Sequence, residues 1–257
     1  MKFTSKTKLK EFLNEQVEQF EKIDFIKDDP ILLPHKFSKK EDIEIIGFLV
    51  ATIAWGNRKS IINNGNRLCQ IMENSPHEFV LNHSENDLKT AEKFVHRTFN
   101  SEDLRHFLLA LQWIYKTKNG LETVFTDGFK NRMNSAHAIS SFKQTFFQID
   151  HLKRTEKHVS DPLKGSSAKR LNMFLRWMVR SSEKGVDFGI WKNIPTSKLM
   201  MPLDVHTGNQ GRNLGLLTRK QNDWKSVLEL TESLRKFDSK DPVKYDYALF
   251  GMGVNNK

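Results

Sequence analysis

Cysteine is almost absent from this 257-residue chain. Cys69 stands alone, which excludes an intramolecular disulfide, a cysteine-based zinc site and an iron–sulfur cluster. The nine histidines include no pair at H-x-x-x-H spacing, and none is spaced with carboxylates as in a typical metal site. We therefore expect no metal and no cofactor.

Long apolar runs are also lacking. The longest, residues 45–55, is interrupted by Gly47 and Thr52 and falls short of the roughly 20 residues that cross a bilayer. Residues 1–6 carry charges with no apolar segment behind them, which is unlike a secretory signal. The mean hydropathy of −0.57 favours a water-soluble protein, and the 19 Phe and 5 Trp favour a folded one. An intracellular protein with no membrane partner is expected.

Positive charge is plentiful and unevenly distributed. The formal net charge is +10, from 41 basic and 31 acidic residues. Residues 151–220 hold 14 of the basic residues and only five of the acidic ones, which leaves an excess of one for the rest of the chain. Such clustering is expected where a polyanion binds, although exposed helix faces are often basic without binding anything.

Helical periodicity of the apolar residues predicts an all-α protein of about ten helices with short connections. Ser38 and Glu41 predict a capping box before the apolar stretch 43–55, and Ser101 predicts the start of a helix that runs to residue 116. In the helix predicted over residues 168–179, apolar positions alternate with Arg170, Arg176 and, directly after the helix, Arg180, which predicts one buried face and one basic face. Further helices are predicted over 120–129, 136–149, 205–214, 224–237 and 243–250.

Two residues carry the strongest indication of chemistry. Lys169 opens a predicted helix. The positive end of the helix dipole disfavours the protonated form of its amine, and a lysine must be unprotonated to act as a nucleophile. Asp204 precedes another predicted helix, where it can cap the helix, take a proton or stabilise developing positive charge. Together they favour chemistry at an electrophilic carbon. Taken singly, Lys169 also fits an ordinary solvated lysine, and Asp204 also fits an ordinary helix cap.

The segments around these two residues resemble a known superfamily. Residues 163–169, Leu-Lys-Gly-Ser-Ser-Ala-Lys, resemble the helix-hairpin-helix pattern L-P-G-V-G-x-K of DNA glycosylases of the endonuclease III and 8-oxoguanine glycosylase superfamily. Residues 202–206, Pro-Leu-Asp-Val-His, resemble that superfamily's P-x-D-x-H. The resemblance implies that Lys169 is the nucleophile and that Asp204 is catalytic. The whole chain is also similar to a bacterial family catalogued as a domain of unknown function.

The chain departs from the superfamily pattern in three ways. Lys164 replaces the hairpin proline, and Ser167 replaces the second glycine. Lys169 and Asp204 lie 35 positions apart, a long gap that an archaeal 8-oxoguanine glycosylase branch shares. The four-cysteine cluster of endonuclease III is missing, which favours the branches without a cluster.

The resemblance implies a two-lobed helical glycosylase-like fold with an interlobe cleft. Residues 1–257 would form one structural unit, with residues 40–183 as the lobe that ends in the hairpin and residues 1–39 plus 184–257 as the second lobe. The DNA-binding residues implied or inferred are Lys164, Gly165, Ser166, Ser167, Arg170, His206, Asn57 and Arg58. Candidates for the base pocket are Met173, Phe146, Phe147, Trp177 and Phe250, although aromatics at helical spacing more often belong to a core.

By resemblance, we expect a base-excision DNA glycosylase with AP lyase activity that flips out a damaged base, an oxidised purine such as 8-oxoguanine being favoured. The expected partner is double-stranded DNA containing a lesion, and the expected protein is a cytoplasmic, nucleoid-associated monomer. Three alternatives stay open: a monofunctional glycosylase, a catalytically inactive DNA-binding protein of the same fold, and an RNA-binding helical protein.

Overall fold

Amphipathic segments form helices along most of the chain in the computed structural model, which describes residues 3–132 and 135–255. The expected all-α class is confirmed, since the described residues form only two short strands, of two residues each, which pair as an antiparallel ribbon. The helices and strands in chain order are α1 (Lys6–Phe20), α2 (Ile23–Ile26), α3 (Lys40–Ile53), α4 (Arg58–Ile71), α5 (Pro76–Asn82), β1 (Val95–His96), β2 (Phe99–Asn100), α6 (Ser101–Thr117), α7 (Leu121–Arg132), α8 (Ser135–Phe146), α9 (Lys169–Val179), α10 (Val205–Asn213), α11 (Trp224–Arg235) and α12 (Tyr245–Asn255). No described helix is long and apolar enough to cross a membrane.

The chain divides into two compact units. The terminal unit comprises the described parts of Met1–Phe25 and Asp161–Lys257, and the central unit comprises those of Ile26–Ser160. These boundaries differ from those of the expected lobes, since residues 161–183 belong to the terminal unit and residues 26–39 to the central unit. Within that unit the Trp224 N–H donates to the Gly165 carbonyl at 3.0 Å, and Ser166 forms an isolated antiparallel bridge with Asp223.

The core of the central unit is built around α3, which is buried on every side from Ile43 to Ile53. Helices α4 and α5 pack against it. Phe48 of α3 lies in an aromatic cluster with Phe107 and Phe146, at ring-centroid distances of 5.7 and 5.3 Å. Helices α7 and α8 approach closely at Gly128, where an added Cβ would lie 2.9 Å from the Ala138 Cα.

The terminal unit is organised by α12, against which both α1 and α10 pack. Small residues on α12 allow this close approach. A Cβ added to Gly251 would lie 2.3 Å from the Phe20 ring, and one added to Gly253 would lie 2.9 Å from the His206 Cβ. The start of α10, where Asp204 lies, is therefore positioned by backbone-level packing on α12.

Several predicted helix ends were wrong by a residue or more. Helix α3 begins after Lys39, without a side-chain capping hydrogen bond in the described chain, so Ser38 does not cap it. Asn100 rather than Ser101 caps α6, and it forms the capping box with Asp103. Pro76 begins α5, because proline at the first helical position lacks only an N–H that has no partner there.

Candidate functional site

Lys169 and Asp204 meet in the terminal unit although 35 positions separate them. The Lys169 Nζ lies 3.8 Å from the Asp204 Oδ2. The two side chains are 24% and 23% exposed, so the pair is accessible from solvent without being fully hydrated. Because each residue stands at the start of a helix, the pair joins two helix N-termini, α9 and α10.

The carboxylate of Asp204 divides its two oxygens between two tasks. Oδ1 accepts the Thr207 N–H at 2.9 Å and so caps α10. This capping bond orients the group, while Oδ2 faces the amine. The backbone is held as well, since the Asn222 side-chain amide donates to the Asp204 carbonyl at 3.1 Å, and Arg212 donates to the Asn222 Oδ1 at 2.6 Å.

Lys169 begins α9 directly after Ala168, whose φ of 45° lies in the left-handed region. No hydrogen bond from a described side chain caps this helix. The Lys169 Nζ also lies 3.5 Å from the sulfur of Met173, one turn further along, so the buried Met173 borders the amine.

Residues 161–168, the segment before α9, form a tight turn rather than an open cradle. Asp161 caps it by accepting the Leu163 N–H, and Gly165 adopts a left-handed φ of 89° at its apex. The Gly165 and Ser166 N–H groups donate to the carbonyls of Pro162 and Asp161. These two donors, which we expected to hold phosphates, are thus already engaged within the turn. Within residues 161–168, Lys164 has an exposed, positively charged side chain.

A buried ionic network lies next to the pair. The Thr207 hydroxyl donates to the Asp246 carboxylate at 3.4 Å, and Arg176 donates to the same carboxylate. Thr207 therefore contacts both Asp204, through its N–H, and Asp246, through its hydroxyl. Burial raises the pKa of the Asp246 carboxyl to about 6, although the Arg176 guanidinium opposes this shift.

The network continues from Arg176 to Arg180. Asp187 accepts from both arginines, and Glu21 accepts from Arg180 at 2.6 Å. Asp241 accepts from Arg180 at 2.8 Å. The expectation that α9 presents a basic face through Arg176 and Arg180 was therefore wrong, because carboxylates from distant parts of the chain bury both guanidinium groups.

This burial changes the charge that the terminal unit shows to solvent. By sequence, residues 1–25 and 161–257 have 22 basic and 15 acidic residues. The network buries two of the cations and three carboxylates, namely Glu21, Asp187 and Asp246, whereas Asp241 is 25% exposed. The rest of these two segments thus carries a formal excess of eight positive charges, one more than their whole sequence.

The other predicted residues of the terminal unit lie around α9, α10 and α12. The His206 Nδ1–H donates to the Gly253 carbonyl at 3.1 Å. The His206 ring packs edge-on against the Phe250 ring, with 6.1 Å between the ring centroids. Arg170 is partly exposed, and burial of its guanidinium lowers its pKa to about 10, so it stays charged at neutral pH. Trp177 has no exposed surface and is a core residue in this structure.

The remaining predicted residues belong to the central unit. Asn57 caps α4 by accepting the Ser60 N–H, and Arg58 is the first residue of that helix. Phe146 is fully buried in the aromatic cluster, and Phe147 stacks on His106 at 5.1 Å. Phe146, like Trp177, thus has no face available to stack on a base.

Sequence reasoning missed three residues that hold the pair in place. Asn222 and Arg212 fix the Asp204 backbone, and Thr207 joins Asp204 to Asp246. Thr207 had a signal, since the third position after a helix cap supplies the N–H that the cap accepts. Asn222, 18 residues from Asp204, had none.

The described residues contain no group of three or more His, Cys, Asp or Glu side chains that could hold a metal ion. The chain matches neither a curated protein nor a solved structure at a significant level. The profile of a family described as "Protein of unknown function (DUF2400)" matches residues 29–255, and the chain therefore belongs to that family.

Proposed function

We propose that this protein is a DNA glycosylase with AP lyase activity, in which Lys169 is the nucleophile and Asp204 its acid–base partner. The observation that carries the proposal is the 3.8 Å approach of the Lys169 Nζ to the Asp204 Oδ2, with both side chains partly exposed.

The chemistry follows from the two groups. The neutral Nζ of Lys169 attacks C1′ of a flipped nucleotide, the C1′–N bond breaks, and the base leaves with the electron pair and takes up a proton. Asp204 stabilises positive charge on the sugar and receives the proton that Nζ loses. Opening of the sugar ring gives a Schiff base, and loss of a C2′ proton then expels the 3′ phosphate.

The hydrogen bonds of Asp204 suit this role. Because Oδ1 is fixed by the Thr207 N–H at 2.9 Å, Oδ2 is held on the side of the amine without help from the substrate. An acid–base group that is oriented before the substrate binds loses little entropy in the reaction.

Charge supports DNA as the partner. The formal excess of eight positive charges outside the buried groups belongs to residues 1–25 and 161–257, the two segments whose described parts form the unit that holds the pair. Such a surface attracts the phosphate backbone independently of base sequence. Lys164 on the hairpin and the partly exposed Arg170 after Lys169 are the nearest such groups along the chain.

Borohydride trapping tests the proposal. Duplexes containing 8-oxoguanine, other oxidised or alkylated bases, or an abasic site are incubated with the protein and reduced with borohydride. We expect a covalent adduct with the wild-type chain and with Lys236→Gln, a matched change at an exposed lysine at the end of α11. We expect none with Lys169→Gln.

Each other outcome rejects the proposal in a defined way. Base release that survives Lys169→Gln and is lost in Asp204→Asn would indicate a monofunctional glycosylase. Tight binding to duplex DNA with no adduct on any lesion would indicate a DNA-binding protein without catalysis. Stronger binding to structured RNA than to duplex DNA at equal salt would indicate an RNA-binding protein.

A further inference from the structure

Asp246 is a buried carboxylate that is joined to the Lys169–Asp204 pair through one intervening residue. It belongs to α12, the helix against which α10 packs, and it is 5% exposed. Its Oδ1 accepts the Thr207 hydroxyl at 3.4 Å, and its Oδ2 accepts an N–H of Arg176. Sequence reasoning assigned no role to Asp246 at the site.

Thr207 links the two carboxylates. Its N–H donates to the Asp204 Oδ1 at 2.9 Å, and its hydroxyl donates to the Asp246 Oδ1. Thr207 has no exposed surface, so bulk water does not compete for either hydrogen bond. A change at Asp246 therefore reaches Asp204 through a single buried residue.

The charge of Asp246 also acts on the pair. Burial raises the pKa of the Asp246 carboxyl, Arg176 and Lys169 lower this pKa, and the negative charge of Asp204 raises it. Such electrostatic interactions are mutual, so an ionised Asp246 repels negative charge on Asp204. Uptake of a proton by Asp204 relieves this repulsion, and proton uptake is the step assigned to Asp204 in the proposed reaction.

Charged groups face Asp246 from several parts of the terminal unit. The pKa of Asp246 responds to Lys169 and Arg176 of α9, to Asp204 before α10, and to Asp187 between these helices. Beyond α1, Glu21 is joined to Asp246 in series through Arg180, Asp187 and Arg176, and at residues 242–244 Lys244 pairs with Asp238. Because the arginines stay charged at neutral pH, the neighbours of Asp246 that change charge in the proposed reaction are Lys169 and Asp204.

We propose that Asp246 is a positioning residue of the site, which holds Asp204 through Thr207 and whose negative charge favours transfer of the Lys169 proton to Asp204. The proposal rests on the proposed function, since it concerns the proton transfer between the two residues of the pair. Asp246 acts through Thr207 and Asp204 rather than on the substrate. A buried group with a perturbed pKa is a common feature of functional sites.

Nuclear magnetic resonance tests the link in the full-length protein without any substrate. The chemical shift of the Thr207 amide should change in a step near pH 6 as Asp246 ionises, because burial raises the pKa of this carboxyl to about 6. The step should be missing in Asp246→Asn, whose side-chain oxygen can still accept the Thr207 hydroxyl. In Thr207→Val, the amide of residue 207 should show the step at a higher pH, because Asp246 has lost a donor that favours its charged form.

The pH profile of single-turnover trapping tests the effect on the reaction, with cyanoborohydride as a reductant that is stable in acid. Removal of one nearby negative charge changes a proton-transfer equilibrium by about tenfold. At about pH 7.5 we expect Asp246→Asn to form the adduct about tenfold more slowly than the wild type. At about pH 5, where Asp246 is largely protonated, the two rates should agree within about twofold. A variant that had merely lost its fold would be slower at both pH values.

Asp187→Asn is the matched control. Asp187 is a buried carboxylate of the same network, and its described hydrogen bonds come from Arg176 and Arg180. The same charge is lost in this variant, but the link through Thr207 is kept. The amide step near pH 6 should persist, and the trapping rate should change by less than about twofold at both pH values. Melting curves check that every variant folds.

The proposal would be overturned by a Thr207 amide shift without a step near pH 6, by a step that survives in Asp246→Asn, or by equal slowing of Asp246→Asn at both pH values. Trapping by Asp246→Asn at the wild-type rate throughout would overturn it while leaving the glycosylase intact. If the wild type itself gives no adduct, the glycosylase is rejected, and the amide titration still decides whether Asp246 is coupled to the site through Thr207.

Discussion

Two substitutions of Asp204 separate its structural role from its chemical one. The Asp204 Oδ1 caps α10 by accepting the Thr207 N–H at 2.9 Å, and the Oδ2 faces the Lys169 amine at 3.8 Å. An asparagine side chain can make the capping bond but cannot take a proton, whereas alanine can do neither. Asp204→Asn should therefore fold normally and lose activity, and Asp204→Ala should lose both activity and stability.

The magnitude follows from the cap. Removal of a capping side chain costs about 1 kcal/mol, within a range of about 0.5–2 kcal/mol. The contact with Lys169 adds little, because both side chains are partly exposed and such pairs contribute at most about 1 kcal/mol. Asp204→Ala should thus lower the free energy of unfolding by about 1 kcal/mol relative to Asp204→Asn.

Urea denaturation at neutral pH measures the stability difference, and the rate of borohydride-trapped adduct in a single turnover measures the chemistry. Equal stability of the two variants would show that the cap does not stabilise α10. An unchanged trapping rate in Asp204→Asn would refute the reasoning that this carboxylate acts on the proton of Lys169.

Three further predictions concern the buried groups. Burial raises the pKa of Asp246 from 3.8 to about 6. The free energy of unfolding of the wild type should therefore fall relative to that of Asp246→Asn as the pH rises from about 4 to 6, by on the order of 3 kcal/mol. A difference in unfolding free energy that stays constant over this pH range in urea denaturation would contradict this. Burial raises the pKa of Cys69 to about 11, so its thiol should react with iodoacetamide at pH 8 far more slowly in the folded protein than in urea, and equal rates would contradict its place in the core. Phe146→Ala should lower the free energy of unfolding by about 3–5 kcal/mol, since the ring is fully buried, and a small loss of stability in denaturation would instead favour a pocket position.

The helices were largely predictable from the sequence because their burial depends on local periodicity. Leu104, Phe107, Leu108 and Leu111 repeat at helical spacing, and α6 follows that repeat from Ser101 to Thr117. The positions of Lys169 and Asp204 at helix starts were predictable for the same reason. Their approach to each other was expected from the resemblance and not from the periodicity.

The partners of charged residues could not be predicted in this way. Periodicity treats an arginine as a surface residue, yet Arg180 is buried by Glu21, which lies 159 positions away in the sequence. Only the tertiary fold brings such groups together. The ribbon was missed for another reason, since strands of two residues are too short to show an alternating pattern.

The identity of the lysine in the trapped adduct tests the central claim most directly. Trypsin normally cleaves after Lys169, so the unmodified chain gives a peptide of residues 165–169. A sugar attached to the Lys169 Nζ blocks that cleavage, and mass spectrometry should then find a peptide of residues 165–170 carrying the reduced deoxyribose remnant. An adduct on any other lysine, or none with any lesion duplex, would contradict the account.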